Sequence, residues 1–333
     1  MILGLLKEQG NENRVALLPE TVQNLTDLKV EVWTEKGAGA NALATDEDYK
    51  NAGAKIASRK EIFEKAEVLL KIQPPSDKEI NNLGKEQVWI SAINPLWDTD
   101  LVKTLLEKGL TSFSLDSIPR TTRAQAMDIL SSMATVAGYK AVLEAALKLP
   151  TFFPMFMTAA GTIRPANVLI LGAGVAGLQA IATSRKLGAQ VQVFDVRSAV
   201  KEEVMSLGGK FVEVEGATED DAAGGYAVEQ TEEYKKKQQE AINSHAAKAN
   251  VIICTAQIPG KKAPLLISKD TVETMKPGSV IIELAASSGG NCELTENDKT
   301  VEHKGITIIG QSNYPSQMPV DASRMFGKNV LNF

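Results

Sequence analysis

Three observations predict an α/β fold built on two doubly wound parallel sheets. Short apolar runs alternate with helix-like stretches over the first 120 residues, the same alternation resumes after Pro165, and a long helical rhythm lies between them. In the first series, Ile2–Leu6 reads as a strand, Pro19–Leu28 as a helix, and Val30–Trp33 as a strand ending at the turn Lys36-Gly37-Ala38-Gly39. Val68–Ile72 and Val88–Ile93 read as further buried strands. From about Thr122 to Leu149 the apolar residues recur at helical spacing for many turns, long enough to join two domains.

In the second series, Val168–Leu171 is a strand, Val175–Leu187 a helix closed by Gly188, and Gln190–Phe194 a strand running into Asp195. Val251–Thr255, Val280–Leu284 and Thr307–Ile309 continue the sheet. Between Glu213 and Gln239 an acidic group, Glu219-Asp220-Asp221, precedes Ala222-Ala223-Gly224-Gly225-Tyr226 and the basic Lys235-Lys236-Lys237. That composition reads as a mobile loop leading into a solvated helix.

The 333 residues suffice for two domains, and 44% apolar with 23% charged residues suits a soluble protein with a substantial core. A net charge of −5 argues against a nucleic-acid surface. Cys254 and Cys292 show no paired spacing, which argues for a reducing compartment. His245 and His303 lack the companions a metal site needs, so no metal is expected. The most apolar region, Val168–Ala182, is split by its glycines into strand and helix. The start, Met1-Ile2-Leu3-Gly4, lacks the flanks of a signal peptide.

The loop Gly172-Ala173-Gly174-Val175-Ala176-Gly177 follows an apolar strand and opens a helix, and Asp195 ends the next strand. This is a Rossmann-type dinucleotide fingerprint in its required context. Gly172 allows the tight turn, Gly174 lets a pyrophosphate approach the backbone, and Gly177 lets helix and strand pack closely. The helix start at Val175 and Ala176 offers amides to phosphate. Asp195, flanked by Val196, can accept from adenosine ribose hydroxyls and would repel a 2′-phosphate, favouring NAD(H); Arg197 softens that preference. The competing reading is a glycine-rich turn that only packs a helix. Proton-handling groups are harder to find: His245 lies in the helical stretch Ile242–Ala249 and His303 in a turn, so both read as surface residues. Direct hydride transfer between two nicotinamides would need no such group.

With these residues in view, the chain resembles the NAD(H)-binding component, domain I, of proton-translocating nicotinamide nucleotide transhydrogenases, a family related to alanine dehydrogenase. The resemblance spans essentially the whole chain. It is carried by Pro119-Arg120-Thr121-Thr122-Arg123-Ala124-Gln125-Ala126-Met127-Asp128 with Ser131-Ser132, by Thr158-Ala159-Ala160-Gly161-Thr162, and by the glycine loop. Ala223-Gly224-Gly225-Tyr226-Ala227, Ile258-Pro259-Gly260-Lys261 and Gly289-Gly290-Asn291-Cys292 complete it. It implies that Arg120, Gln125, Asp128 and Ser131, with Thr121 and Thr122 beside them, hold the nicotinamide end. The residues agree: Gln125, Asp128 and Ser131 recur at a spacing of three, a polar stripe on an apolar helix start with both donors and acceptors. An ordinary solvated helix face is the competing reading. The resemblance makes Tyr226 the tip of a loop that closes over nucleotide, hinged at Gly224 and Gly225. It adds contacts at Gly225, Gln238 and Gln257, the last a glutamine where relatives have leucine. Arg14 and Lys71 resemble the carboxylate-binding arginine and catalytic lysine of alanine dehydrogenase, whereas its catalytic histidine and aspartate fall at Asn94 and Ser287.

The expected architecture is therefore two Rossmann-like domains joined by long helices with a cleft between them. The first comprises residues 1–121 plus 319–333, its sheet completed by the C-terminal segment. The second comprises residues 122–318. The resemblance implies a homodimer that works with an NADP(H)-binding domain and a membrane domain, peripheral on the cytoplasmic membrane through those partners. The end at Phe333 reads as a natural split of the subunit or a truncation. A free-standing amino acid dehydrogenase and a non-catalytic NAD-sensing module are the alternatives.

Overall fold

The computed structural model describes residues 1–214, 216 and 231–333. It divides into two units, Met1–Met133 with Pro315–Phe333, and Ala134–Tyr314.

The first unit holds strands β1 (Ile2–Leu5), β2 (Glu31–Glu35), β3 (Lys55–Ala57), β4 (Val68–Leu70), β5 (Val88–Ser91) and β6 (Thr111–Ser114). They form one parallel sheet in the order β3-β2-β1-β4-β5-β6, doubly wound about the reversal between β1 and β4. Helices α1 (Pro19–Asp27), α2 (Asp46–Asn51), α3 (Arg59–Lys65), α4 (Asp77–Asn82) and α5 (Thr99–Glu107) fill the crossovers. Thr45, Ser58 and Ser76 start α2, α3 and α4 with reciprocal capping boxes to Asp48, Glu61 and Glu79. Alternate strand residues feed opposite faces: Leu3, Leu5, Val32 and Leu70 enter one core, and Leu6, Trp33, Leu69 and Trp89 the other. Gly4 admits α3 so closely that a Cβ there would meet Ile62 Cγ2 at 2.4 Å.

The expected long helix is two elements. A 3₁₀ helix covers Thr122–Met127, and α6 runs from Ile129 to Lys148. Asp128 separates them in extended conformation and caps α6, its Oδ1 accepting from Ser131 N at 2.9 Å. The division between the units falls inside α6, at Met133, beyond the expected residue 121. The C-terminal segment adds no strand. It forms α11 (Pro319–Asn332), whose Phe326 enters the first unit's core and whose Asn329 Nδ2 donates to Ala126 O at 2.8 Å.

In the second unit a short antiparallel hairpin, β7 (Phe156–Thr158) and β8 (Gly161–Ile163), precedes the main sheet. That sheet comprises β9 (Asn167–Leu171), β10 (Gln190–Phe194), β11 (Lys210–Phe211), β12 (Val251–Cys254), β13 (Val280–Glu283), β14 (Lys299–His303) and β15 (Ile306–Gly310). Its order is β11-β10-β9-β12-β13-β15-β14, parallel except for the edge strand β14. Between the strands run α7 (Val175–Lys186), α8 (Lys201–Ser206), α9 (Glu232–Ala246) and α10 (Lys269–Glu273). Val168, Ile170, Val251, Ile253, Val280 and Ile282 face one core; Leu169, Leu171, Ile252, Cys254 and Ile281 face the other. Strands buried on both faces explain the unbroken apolar runs of the sequence. Both units thus repeat one winding order, a kinship the sequence does not display. No helix among the described residues is long and apolar enough to cross a membrane.

Candidate dinucleotide-binding site

Strand β9 delivers the chain to Gly172, whose φ of +102° is open to glycine at low cost. The three glycines then differ in what surrounds them. A Cβ on Gly172 would lie 2.6 Å from Thr255 Oγ1, and one on Gly177 would lie 2.0 Å from the Gly172 carbonyl oxygen. A Cβ on Gly174 would meet nothing within 4 Å. Gly172 and Gly177 are therefore demanded by the fold, whereas the space beside Gly174 is kept clear of protein. Gly174 is also the N-cap of α7. It provides no side-chain cap, and the first turn, with Val175 and Ala176, carries no acid. The leading amides of a twelve-residue helix thus face that space with the positive end of its dipole. The residues present fit a pyrophosphate.

Asp195 follows β10 and is largely buried. Its Oδ2 accepts from Ala173 N at 2.7 Å, tying the acid to the glycine loop. Arg197 donates to the same carboxylate through its own N (2.9 Å), Nε (2.9 Å) and a terminal nitrogen (2.7 Å). Val196 packs against the neighbouring core. Gln238 is buried on α9, one turn beyond Tyr234. The Tyr234 phenol is pushed up by burial and by the Asp195 charge, so the start of α9 lies near the acid. The sequence reading missed Tyr234. Gln257 is exposed, and its Nε2 donates to Leu284 O at 3.3 Å. Gly224, Gly225 and Tyr226, the expected hinge and loop tip, lie outside the described residues.

Three further residues missed from the sequence hold the chain beside the glycine loop. Thr255 Oγ1 lies within hydrogen-bond reach of Leu171 O and Gly172 O, at 3.1 and 3.0 Å. The chain beyond it is held by Asn291, which accepts from Ala256 N and donates to Ala256 O and Pro264 O at 2.8–3.0 Å. Glu283, at the end of β13, accepts from Ala285 N, Asn291 N and Cys292 N. Burial pushes its pKa up to about 7, against the pull of those amides. The available signals were slight: a carboxylate closing an apolar strand, and the asparagine of Gly289-Gly290-Asn291-Cys292.

In the first unit, Arg120, Thr121, Thr122 and Gln125 are exposed, while Asp128 and Ser131 are half-buried. Asp128 Oδ2 accepts from Ser131 Oγ at 2.6 Å and lies 3.9 Å from Arg120 Nε. The predicted stripe on one helix is thus replaced by a cap. Gln125 sits in the 3₁₀ helix, Asp128 between the helices and Ser131 in the first turn of α6. Arg120, Asp128 and Ser131 come together there.

Arg14 and Lys71 are both buried and both paired. Arg14 forks onto Glu12 with bonds of 2.7 and 2.6 Å, and Lys71 Nζ sits 3.1 Å from each Glu79 oxygen. Beside Lys71, burial pushes Glu8 up to about 7 although it accepts from Ile72 N and Gln73 N. Asn94 is exposed in a left-handed turn, and Ser287 is exposed in a 3₁₀ turn. His245 Nδ1 contacts Gln192 Oε1 and His303 Nε2 contacts Glu273 Oε1. Among the described residues no histidine, cysteine and carboxylate grouping could hold a metal ion.

The alanine dehydrogenase/PNT N-terminal domain matches residues 4–137, and the C-terminal domain of the same family matches residues 141–333. The chain belongs to the alanine dehydrogenase/PNT family. Among members of this family it is 47% identical to the first part of NAD(P) transhydrogenase subunit alpha of Rhodospirillum rubrum, over 100% of this chain and 89% of that one. Among solved structures, transhydrogenase from Sinorhizobium meliloti is 41% identical with a TM-score of 0.91, covering 99% of this chain and 91% of that one. An L-alanine dehydrogenase structure is 26% identical with a TM-score of 0.84, covering 99% and 88%.

Proposed function

We propose that this chain is the NAD(H)-binding component of a proton-translocating transhydrogenase. Hydride passes directly between NAD(H) on this chain and NADP(H) on a partner domain, coupled to proton movement in a membrane domain. The chain is then peripheral on the cytoplasmic membrane through those partners. The observation that carries this reading is 47% identity, across the whole chain, to a subunit that bears the transhydrogenase name.

The site chemistry supports it. Gly174, Val175 and Ala176 cradle the pyrophosphate, with Gly172 and Gly177 shaping the loop. Asp195 takes the adenosine ribose, flanked by Val196, Arg197, Gln238 and the Gln257 backbone. Arg120, Thr121, Thr122, Gln125, Asp128 and Ser131 hold the nicotinamide end, where charge and hydrogen bonds orient the ring and its carboxamide. Gly225 and Tyr226 are included on the resemblance alone. Bound NADH supplies the hydride. The side chains at Asn94 and Ser287 cannot exchange a proton near neutral pH, which suits a transfer between two nicotinamides and not the oxidation of an amine.

Mixing the chain with an NADP(H)-binding transhydrogenase component and following NADH-dependent reduction of an NADP analogue tests the proposal. The mixture should far exceed either component alone, and no such rate would sink it. The likeness to L-alanine dehydrogenase favours one second reading, a free-standing amino acid dehydrogenase; alanine-dependent NAD reduction by the isolated chain would establish that instead. We also propose a homodimer. The β7–β8 hairpin and its flanks expose Phe152, Met155, Phe156, Met157 and Ile163, an apolar stretch suited to a second copy. Sedimentation of the wild-type chain as a dimer, shifted toward monomer by Met157→Lys, is the expected result; a wild-type monomer would reject it.

A further inference from the structure

The Asp195 carboxylate is saturated by protein donors. Oδ1 accepts from Arg197 N and Arg197 Nε, and Oδ2 accepts from Ala173 N and an Arg197 terminal nitrogen, all at 2.7–2.9 Å. An ionised carboxylate offers about four acceptor positions, so a ribose hydroxyl can bond to Asp195 only by replacing one of these donors. Two of the four are main-chain amides. Ala173 N is fixed by the glycine loop, and Arg197 N by the chain leaving β10. The other two belong to one guanidinium whose side chain is 27% exposed, against 6% for that of Asp195. Of these four donors, the guanidinium pair alone can leave without moving the backbone.

We infer that Arg197 competes with the nucleotide: its guanidinium holds the acceptor positions that the adenosine ribose needs, and its departure is a step of NAD(H) binding. Arg197 thereby sets both the affinity for NAD(H) and the preference for a 2′-hydroxyl over a 2′-phosphate. While paired, it masks the negative charge that would repel a 2′-phosphate. Once displaced, its cation stays tethered two residues from Asp195, within reach of that same position. Asp195 alone would discriminate strongly; Asp195 with Arg197 discriminates less and binds NADH less tightly. The inference rests on the dinucleotide reading proposed above.

Isothermal titration of the full-length chain with NADH and NADPH, wild type against Arg197→Ala, tests it. Removing a part-exposed competing pair should lower the NADH Kd by about three- to tenfold and raise the NADPH-to-NADH Kd ratio at least as much. An NADH Kd that is unchanged or raised in Arg197→Ala overturns the inference, because the guanidinium is then either idle or a nucleotide contact. Arg197→Met keeps the stem without the fork and must move NADH affinity in the same direction, so a folding defect in the alanine variant does not shield the claim. A wild-type chain that binds neither nucleotide overturns the dinucleotide reading itself, and this inference with it.

Discussion

Alanine substitutions at Gly174 and Gly177 should separate binding from folding within one six-residue loop. At Gly177 the added Cβ would lie 2.0 Å from the Gly172 carbonyl oxygen and 3.0 Å from its carbon. Both are backbone atoms, so α7 must move as a body off β9. Overpacking of this kind costs about 1–3 kcal/mol or more. With a melting shift of about 2–4 °C per kcal/mol for a domain of this size, Gly177→Ala should melt about 2–12 °C lower. At Gly174 nothing lies within 4 Å of the new methyl, and φ −76°, ψ −172° is open to alanine. The gain from a stiffer unfolded chain, about 0.4–1 kcal/mol, is offset by alanine's poorer N-capping, so the melting temperature should barely change. The methyl does project into the space assigned to the pyrophosphate. A clash of about 1–3 kcal/mol there would weaken NADH about 5- to 150-fold. Thermal unfolding and NADH titration of both variants measure the two effects separately. Wild-type NADH affinity in Gly174→Ala would refute the assignment of that space, and an unchanged melting temperature in Gly177→Ala would refute the packing argument.

Four other outcomes follow from the site and its surroundings. Burial raises Glu283 from an unfolded value of 4.5 to about 7, so its contribution to stability is fully present below pH 4.5 and lost as pH rises through 7. Glu283→Gln should flatten that part of the urea-midpoint profile, and an unaltered slope would show that the acid titrates normally. Glu8, also pushed to about 7 by burial, should give the first unit a loss of the same sign over the same window, which Glu8→Gln removes. Arg14→Met strips the guanidinium from a Glu12 side chain that is only 1% exposed, and should cost about 3–5 kcal/mol in chemical denaturation. Adding Glu12→Gln should recover much of that loss, and equal costs for the single and double variants would mean that the pair is not what matters. Asp128→Asn keeps an N-capping side chain, so it should melt like wild type while losing most NADH-dependent transfer with the NADP(H)-binding component. Full activity would leave Asp128 as a helix cap only.

What the sequence made legible follows from burial. The strands beside the sheet centres, Asn167–Leu171, Val251–Cys254 and Val280–Glu283, are buried on both faces and therefore spell continuous apolar runs. The edge strands Lys55–Ala57, Thr111–Ser114 and Lys299–His303 are partly exposed and polar, and a search for apolar runs passes over them. The break at Asp128 was invisible to periodicity, because a 3₁₀ turn capped into an α-helix keeps nearly the same apolar rhythm. The glycine loop was legible because its geometry is local, six residues whose spacing states their purpose. The Glu283–Asn291–Ala256 chain was not, since it joins three segments that only the fold brings together. The same holds for Glu12 and Glu79, whose partners were noticed in the sequence without them.

Those two carboxylates also bear on which reaction the chain can run. Arg14 and Lys71 resemble the substrate-binding pair of an amino acid dehydrogenase, yet each is closed onto an acid of its own unit, with side-chain exposures of 9% or less. A 2-oxo acid would have to displace carboxylates already in place at 2.6–3.1 Å, and each displaced acid would remain as an uncompensated buried charge. Arg120 is less enclosed: its side chain is 41% exposed and its Nε lies 3.9 Å from Asp128 Oδ2. Arg14 and Lys71 are thus committed to structure. At Asn94, Ser287 and the closed Lys71 the chain offers no group to take up the proton that amine oxidation releases, which accords with the proposed transfer between two nicotinamides.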